Sequence, residues 1–332
     1  LEVIYEEGDE TDRTEPIKSP LFKDIYTREE GGTKAVDLPG RPITVFHSYK
    51  GGVGRTLSLI SLVREISEAY GDQKKVLIID ADLEAPGLTW MLGQGMDNEK
   101  ISYFDVLELL HFNDVNDGFV KDVAKLVEKN VIKVMTEKLE VEHYFLPVYR
   151  EKSQMMNIYS SPEKIIAVQK DKYVITEFLS RLGEVLGTEL VLVDLRAGVT
   201  EFSAPFLFDS RVGKFFISST SMQSIKGTRL ILEEIQRKVA EGHLNSRLLL
   251  TMIPKEMEED KLGSLEDELA GSLEEDFDSE SMNVLREDYL YRVPFDSAFA
   301  SLGDFRDICV LLKGKVLSDV MAKIADGMLE KE

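Results

Sequence analysis

The chain predicts a doubly wound α/β fold with a mainly parallel sheet, and three observations carry that expectation. From residue 41 onward, short apolar segments rich in β-branched residues alternate with amphipathic stretches. Two of the apolar segments end in carboxylates, Asp80-Ala81-Asp82 and Asp194. A glycine-rich stretch stands between the first apolar segment and the first amphipathic one. Strand, helix and strand in that order form a parallel crossover unit, and a series of such units builds a sheet covered on both faces.

The elements follow in order. Residues 1–40 are polar, charged and broken by Pro16, Pro20 and the Gly31-Gly32 pair, so they are expected to be an N-terminal tail or linker, the trailing edge of an upstream domain. Residues 41–332 are expected to form one domain. Ile43–Ser48 is a buried strand by its β-branched and aromatic content. Leu57–Tyr70 has helical periodicity, with Leu59, Leu62, Val63 and Ile66 on one face, and Gly71 stops it. Lys75–Asp82 is a continuous apolar strand closed by carboxylates. Residues 97–187 read as a mostly helical insertion or cap, with helices Tyr103–Phe112 and Phe119–Val134 and a strand at His143–Val148. Leu190–Asp194, Lys214–Ser218 and Arg247–Ile253 are further strands, and Ile225–Ala240 is a helix between the last two. Tyr291–Pro294 is a short final strand and Lys313–Leu329 a closing helix. Ligands in such sheets bind at the carboxyl ends of the strands, where the polar residues cluster here.

Composition narrows the function classes. The chain has 332 residues, enough for a large core, and a net charge of −21 that argues against binding bare nucleic-acid backbone. From Glu256 to Glu280 there are twelve acids against one base, Lys261, which reads as a solvated face or as a docking surface for a basic partner. No apolar run approaches the ~20 residues that cross a bilayer, and no signal peptide is visible. The lone Cys309 fits a reducing, cytoplasmic setting and excludes a cluster held by several thiolates of one chain.

The chemistry is concentrated in Ser48-Tyr49-Lys50-Gly51-Gly52-Val53-Gly54-Arg55-Thr56-Leu57. Glycines let successive backbone N–H groups converge on anionic oxygens, and the helix that follows presents its positive end. Gly51, Gly52 and Gly54 supply that freedom, and Thr56 offers a hydroxyl to Mg2+ at the start of the helix. Strand, glycines, cation, Thr and helix in this order predict a phosphate-binding loop and a P-loop NTPase sheet. Two features depart from the ordinary pattern: Tyr49 stands where a first glycine is usual, and Lys50 precedes the glycine pair. Strand ends often carry Asp as caps, so Asp80 and Asp82 read equally as caps or as catalytic groups.

Taken together, these residues resemble the deviant-Walker-A ATPases of the MinD/ParA type, whose loop reads Lys-Gly-Gly-X-Gly-Lys-Thr. With Asp-Leu-Glu-Ala-Pro-Gly at 82–87 and Asp-Leu-Arg-Ala-Gly at 194–198, the chain is similar to a KGGVGR-motif variant group whose members often accompany effector or signalling domains. The resemblance spans residues 41 to about 300. It implies two subunits sandwiching two ATP molecules, with Lys50 reaching the partner's nucleotide and Arg55 in place of the second lysine. It further implies that Gly51 through Leu57 cradle the phosphates, that Asp82 orients the attacking water, and that Thr56, Asp80 and Asp194 serve Mg2+. Gly198 would approach the γ-phosphate. Val293-Pro294-Phe295-Asp296 looks like the late loop near the base. Thr251-Met252-Ile253-Pro254 stands where relatives often have an Asn reading adenine, so ATP over GTP rests on resemblance. Arg196 sits where relatives often have proline.

Arginine keeps the charge of the usual lysine but is bulkier and makes fixed, forked contacts. A displaced charge could cost ~2–4 kcal/mol of transition-state stabilisation, roughly 30- to 1,000-fold in rate. Because Lys50, Thr56, Asp82 and Asp194 are all present, the expectation is an ATP-binding switch with slow Mg2+-dependent hydrolysis coupled to dimerisation and to a protein partner or fused effector domain. The alternative is a non-hydrolysing nucleotide-sensing module of a larger signalling or defence system. A DNA partitioner needs basic surface, and a membrane switch needs a basic amphipathic C-terminal helix. The apolar stripe of Val316, Leu317, Val320, Ile324 and Met328 is instead expected to pack on the core.

Overall fold

A computed structural model of the chain describes residues 37–92, 100–156, 173–238, 246–271, 289–300 and 304–329. The first 36 residues of the expected tail, and the acidic stretch beyond residue 271, lie outside them. Eight strands form one sheet: β1 (Ile43–His47), β2 (Val76–Ala81), β3 (Val131–Met135), β4 (Glu140–Leu146), β5 (Leu190–Leu195), β6 (Gly213–Ser219), β7 (Ser246–Ile253) and β8 (Leu290–Pro294). Their order is β3-β4-β2-β5-β1-β6-β7-β8, and every pairing is parallel except that of β3 with β4. The doubly wound, mainly parallel fold expected from the sequence is what the chain adopts.

The central strands are apolar on both sides because both faces are covered. On one face lie α1 (Arg55–Tyr70), α2 (Gly87–Met91), α10 (Phe305–Leu311) and α11 (Val316–Leu329), burying Leu59, Leu62, Ile66, Ile308, Met321 and Ile324 against Phe46, Ile78 and Phe215. On the other lie α3 (Tyr103–Phe112), α4 (Asp117–Val127), α6 (Val174–Val185), α7 (Ala204–Phe208), α8 (Met222–Lys238) and α9 (Glu259–Ala270), packed on Ile43, Val45, Leu77 and Val193. A short α5 (Lys152–Met156) follows β4. The alternation of Ile43 and Val45 with Phe46 between the two faces is the period of a pleated strand. Helix α11 packs on α1 as a core helix, with Leu317, Met321, Ile324, Ala325 and Leu329 buried; of the expected stripe Leu317 and Ile324 are buried, Val320 and Met328 partly so, and Val316 is exposed.

One expected helix is corrected. Phe119–Val134 is not continuous: α4 ends at Val127, and Val131–Met135 is strand β3, antiparallel to β4. Asn130 marks the break. Its side-chain amide donates to the Ile101 carbonyl at 2.6 Å while its own carbonyl accepts from the Phe145 amide at 2.8 Å, so its backbone already belongs to the sheet side. The rim strand β3 alternates exposed and buried residues, with Lys133 outward near Glu140 and Glu142. At the opposite rim, β8 is five residues long and ends in Pro294. Among the described residues, no helix is long and apolar enough to cross a membrane.

Candidate phosphate-loop site

The loop between β1 and α1 takes the conformation its glycines allow. Gly52 has φ 74° and Gly54 φ 91°, values that residues with a Cβ seldom adopt. A Cβ placed on Gly51, Gly52 or Gly54 would meet no heavy atom within 4 Å, so the loop is open where those side chains would stand. The loop is tied down elsewhere. Thr251 Oγ1 donates to the Val53 carbonyl at 2.7 Å, and the Gly54 carbonyl accepts from the Ser58 amide at 2.9 Å and its hydroxyl at 2.8 Å. The Tyr49 ring lies on α8 at Gly227, where an added Cβ would come within 2.0 Å of Tyr49 Cδ1. Lys50 is exposed, and no ion pair holds it among the described residues.

The register of the sheet brings the acids together. Asp80 on β2 lies beside Asp194 on β5, which in turn lies beside Phe46 at the end of β1. Asp80 is fully buried, and both its oxygens are engaged: Oδ2 accepts from the Thr89 amide and hydroxyl, each at 2.8 Å, and Oδ1 from the Asp82 amide at 3.2 Å. Burial, and then the adjacent Asp194 carboxylate, push its pKa up to about 7. Asp82 Oδ1 accepts from the Ala85 amide at 3.0 Å, which fixes the loop after β2.

Arg55 turns into this acidic centre. Its Nε donates to Asp194 Oδ1 at 2.6 Å and its Nη2 to Asp82 Oδ2 at 2.8 Å. Burial works against its charge, but Asp194 and Asp82 outweigh that and raise its pKa above the ordinary value. Thr56 Oγ1 donates to Asp194 Oδ2 at 2.6 Å. Burial raises the pKa of Asp194, and Arg55 and Thr56 oppose the rise.

The loop after β5 is joined to the phosphate loop through Gly198, which has φ 78°. Its amide donates to the Ser48 carbonyl at 2.9 Å, and its carbonyl accepts from His47 Nε2 at 2.8 Å. Burial lowers the His47 pKa to about 4, so the ring is neutral and carries its proton on Nε2. Arg196 pairs with Glu84 across the site, linking the loops after β5 and β2.

A cavity of about 1280 Å³ runs from the glycine loop past Thr251 and Pro254 to Phe295, Asp296 and Lys315. At its far end Lys315 Nζ donates to Asp296 Oδ2 at 2.6 Å. Met252, at an irregularity in the β7–β8 pairing, has φ 54°. Such a conformation is unusual for a long side chain, and strain of this kind gathers at ligand sites.

Arg55, Thr56, Asp80, Asp82 and Asp194 therefore converge, and Gly198 and the glycine loop stand beside them. Lys50 is exposed and makes no ion pair with that group. The sequence reading missed Thr89, His47, Gly227 and Lys315. None of them has a local signal, because each acts on a residue distant in the chain. A magnesium ion takes oxygen ligands, commonly one or two carboxylates together with phosphate oxygens. Thr56 Oγ1 and Asp194 Oδ2 form such an oxygen-only set beside the glycine loop, so these residues fit that ion. Among the described residues no group of three or more His, Cys, Asp or Glu could hold a metal on its own.

No protein-family profile matches the chain, and no curated protein matches it by sequence. Solved structures do match by shape. An McdA variant from Cyanothece in complex with ATP superposes with a TM-score of 0.56 at 14% identity, covering 88% of this chain and 97% of that one. A ParA family ATPase from Chlorobium tepidum gives 0.52 at 12% identity, with 86% and 98% covered. The septum site-determining protein MinD from Pyrococcus horikoshii, complexed with Mg-ADP, gives 0.50 at 18% identity, with 88% and 96% covered. With an eight-stranded sheet of this order and a glycine loop at the carboxyl end of β1, the chain has the fold of the ParA/MinD-type P-loop ATPases.

Proposed function

We propose that the chain is an ATP-binding switch that hydrolyses ATP slowly with Mg2+ and uses the nucleotide state to control dimerisation and a protein partner. The observation that carries this reading is that Gly51, Gly52, Gly54 and Thr56 line a cavity large enough for a nucleotide, with Thr56 bonded to Asp194 behind it.

The backbone amides of residues 51–57 would bind the phosphates, helped by the positive end of α1. Thr56 and Asp194 would hold Mg2+, which when bound neutralises charge on the phosphate oxygens. Asp82 would orient the attacking water, and Asp80, engaged by Thr89 and by the Asp82 amide, would hold Asp82 in place. Gly198 would carry the state of the γ-phosphate to the loop after β5. Neutral His47 would anchor that loop to the end of β1. Phosphoryl transfer rests on positioning and electrostatics, and Arg55 would supply cationic stabilisation once its fork turns to the phosphates. Lys50, exposed at the rim, would reach a second subunit.

Calorimetry of the full chain with Mg–ATP tests the binding reading, and the absence of stoichiometric binding sinks it. Single-turnover assays then separate slow cleavage from none. Light scattering with a non-hydrolysable analogue should show that Lys50→Ala weakens nucleotide-dependent dimerisation more than it weakens binding. Equal loss of both would remove the cross-subunit role of Lys50.

A further inference from the structure

Arg55 and Arg196 both line the cavity at the glycine loop, and their engagements differ. The Arg55 fork is held by Asp82 and Asp194, and these three side chains are 11%, 5% and 0% exposed. Arg196 pairs through Nη1 with Glu84, and those two side chains are 38% and 59% exposed. An enclosed ion pair is costly to break because it strands a buried charge. An exposed pair contributes little and is readily exchanged. Arg196 is therefore the more mobile guanidinium at this end of the cavity. Its place in the sheet matters as well. β2 and β5, which lead to Glu84 and Arg196, lie on one side of β1, and β7 and β8 lie on the other. A nucleotide with its phosphates on the loop has the long arm of the cavity toward Phe295 and Lys315 for its sugar and base. That leaves the side of Asp82 and Arg196 for the terminal phosphate.

Both backbones that carry the pair are anchored. Asp194 lies beside Phe46 in the sheet, so the chain that continues to Arg196 runs alongside the chain that continues to Ser48 and the glycine loop. The Gly198 amide holds that course by donating to the Ser48 carbonyl at 2.9 Å. Glu84 stands on a fixed turn: the Leu83 carbonyl accepts from the Tyr149 hydroxyl, and the Ala85 amide donates to Asp82 Oδ1 at 3.0 Å. We propose that Arg196 is a phosphate ligand of the site, held on Glu84 until a nucleotide with a third phosphate arrives. The fork then leaves Glu84 for the terminal phosphate, where two parallel charge-assisted bonds replace one exposed pair. A diphosphate lacks that group, so Arg196 favours the triphosphate over the diphosphate. This inference rests on the nucleotide reading of the site.

Calorimetric titration of the full chain with Mg–ATPγS and with Mg–ADP tests it, on Arg196→Ala, Glu84→Gln and the double variant. Arg196→Ala should weaken Mg–ATPγS binding roughly ten- to a hundredfold, the scale of a charge-assisted contact, and Mg–ADP binding by less than about threefold. Glu84→Gln should act in the opposite direction, tightening Mg–ATPγS about two- to fivefold because the exposed pair no longer competes. That gain should vanish in the double variant. Equal losses for the two nucleotides in Arg196→Ala overturn the inference. So does a loss in Glu84→Gln, since a pair that only braces the two loops is broken alike from either side. A gain that persists without Arg196 overturns it too, because Glu84 would then act by its charge alone. Failure of wild type to bind either nucleotide is a different outcome, because it removes the nucleotide reading itself.

Discussion

Gly227 offers a test of how the phosphate loop is held. Its missing side chain makes the slot into which Tyr49 lies, and a Cβ there would stand 2.0 Å from Tyr49 Cδ1. Gly227→Ala has two opposed effects. Within helix α8, alanine is favoured over glycine by ~1 kcal/mol. Forcing a methyl group into a filled contact costs ~1–3 kcal/mol. The net expectation in wild type is a destabilisation of about 0–2 kcal/mol. In a Tyr49→Ala background the clash is gone, so the same substitution should stabilise by ~1 kcal/mol. The coupling between the two positions is therefore ~1–3 kcal/mol, the range seen for directly touching residues. Equilibrium unfolding of the four proteins in the cycle measures it, at roughly 2 °C in melting temperature for each kcal/mol. An identical effect of Gly227→Ala in both backgrounds would show that Tyr49 does not use the slot, and the account of how the loop is pinned would fall with it.

Other consequences are open to measurement. Thr251→Val removes the hydroxyl that donates to the Val53 carbonyl at 2.7 Å, and should cost ~1–2 kcal/mol of stability and weaken nucleotide binding. Wild-type stability and affinity in that variant would refute the anchoring role. His143 is buried, accepts from the Val76 amide on Nδ1 and bonds Ser67 through Nε2, and burial lowers its pKa to about 4. A depressed histidine binds its proton more readily when unfolded, so its contribution to stability falls as pH drops from 6.5 toward 4, by ~1.4 kcal/mol per pH unit. The stability of His143→Gln between those pH values should decline less steeply than that of wild type, and parallel slopes would contradict the argument. Lys214, buried with its Nζ donating to the carbonyls of Asp209 and Val212, has a pKa lowered to about 8 by burial. It adds stability as pH rises from about 8 to its ordinary value, and Lys214→Met should lose that portion of the pH profile.

The fold was legible where local pattern and tertiary role agree. The apolar runs of β1, β2 and β5 can only be buried strands, and the glycine loop has to sit where a strand meets a helix. The helix predicted over Phe119–Val134 shows the limit. The strong amphipathic pattern of Asp117–Val127 runs into Val131–Met135 without a glycine or proline, and the only interruption is Asn130. The strand character of Val131–Met135 comes from its partner, Glu140–Leu146, and a partner is not visible in a local window. That Arg55, Thr56, Asp80, Asp82 and Asp194 belong to one neighbourhood was legible as well, because the motif orders them along the chain. The direction of the Arg55 side chain was not. Its partners lie 27 and 139 residues away, and nothing near Arg55 in the sequence says that two carboxylates will be closer to it than the open side of the loop.

The two rims of the sheet have a bearing on how the chain behaves when crowded. A strand at an edge offers unpaired backbone groups on which a neighbour can build. Among the described residues one rim is a five-residue strand carrying Lys133 outward, and the other is a five-residue strand ending in Pro294, which has no N–H to give. Short strands, a charge and a proline all discourage the addition of a ninth strand. A fibre seeded from the folded chain finds little rim to grow on, so amyloid-like growth in concentrated solution should have to wait for the sheet to come apart.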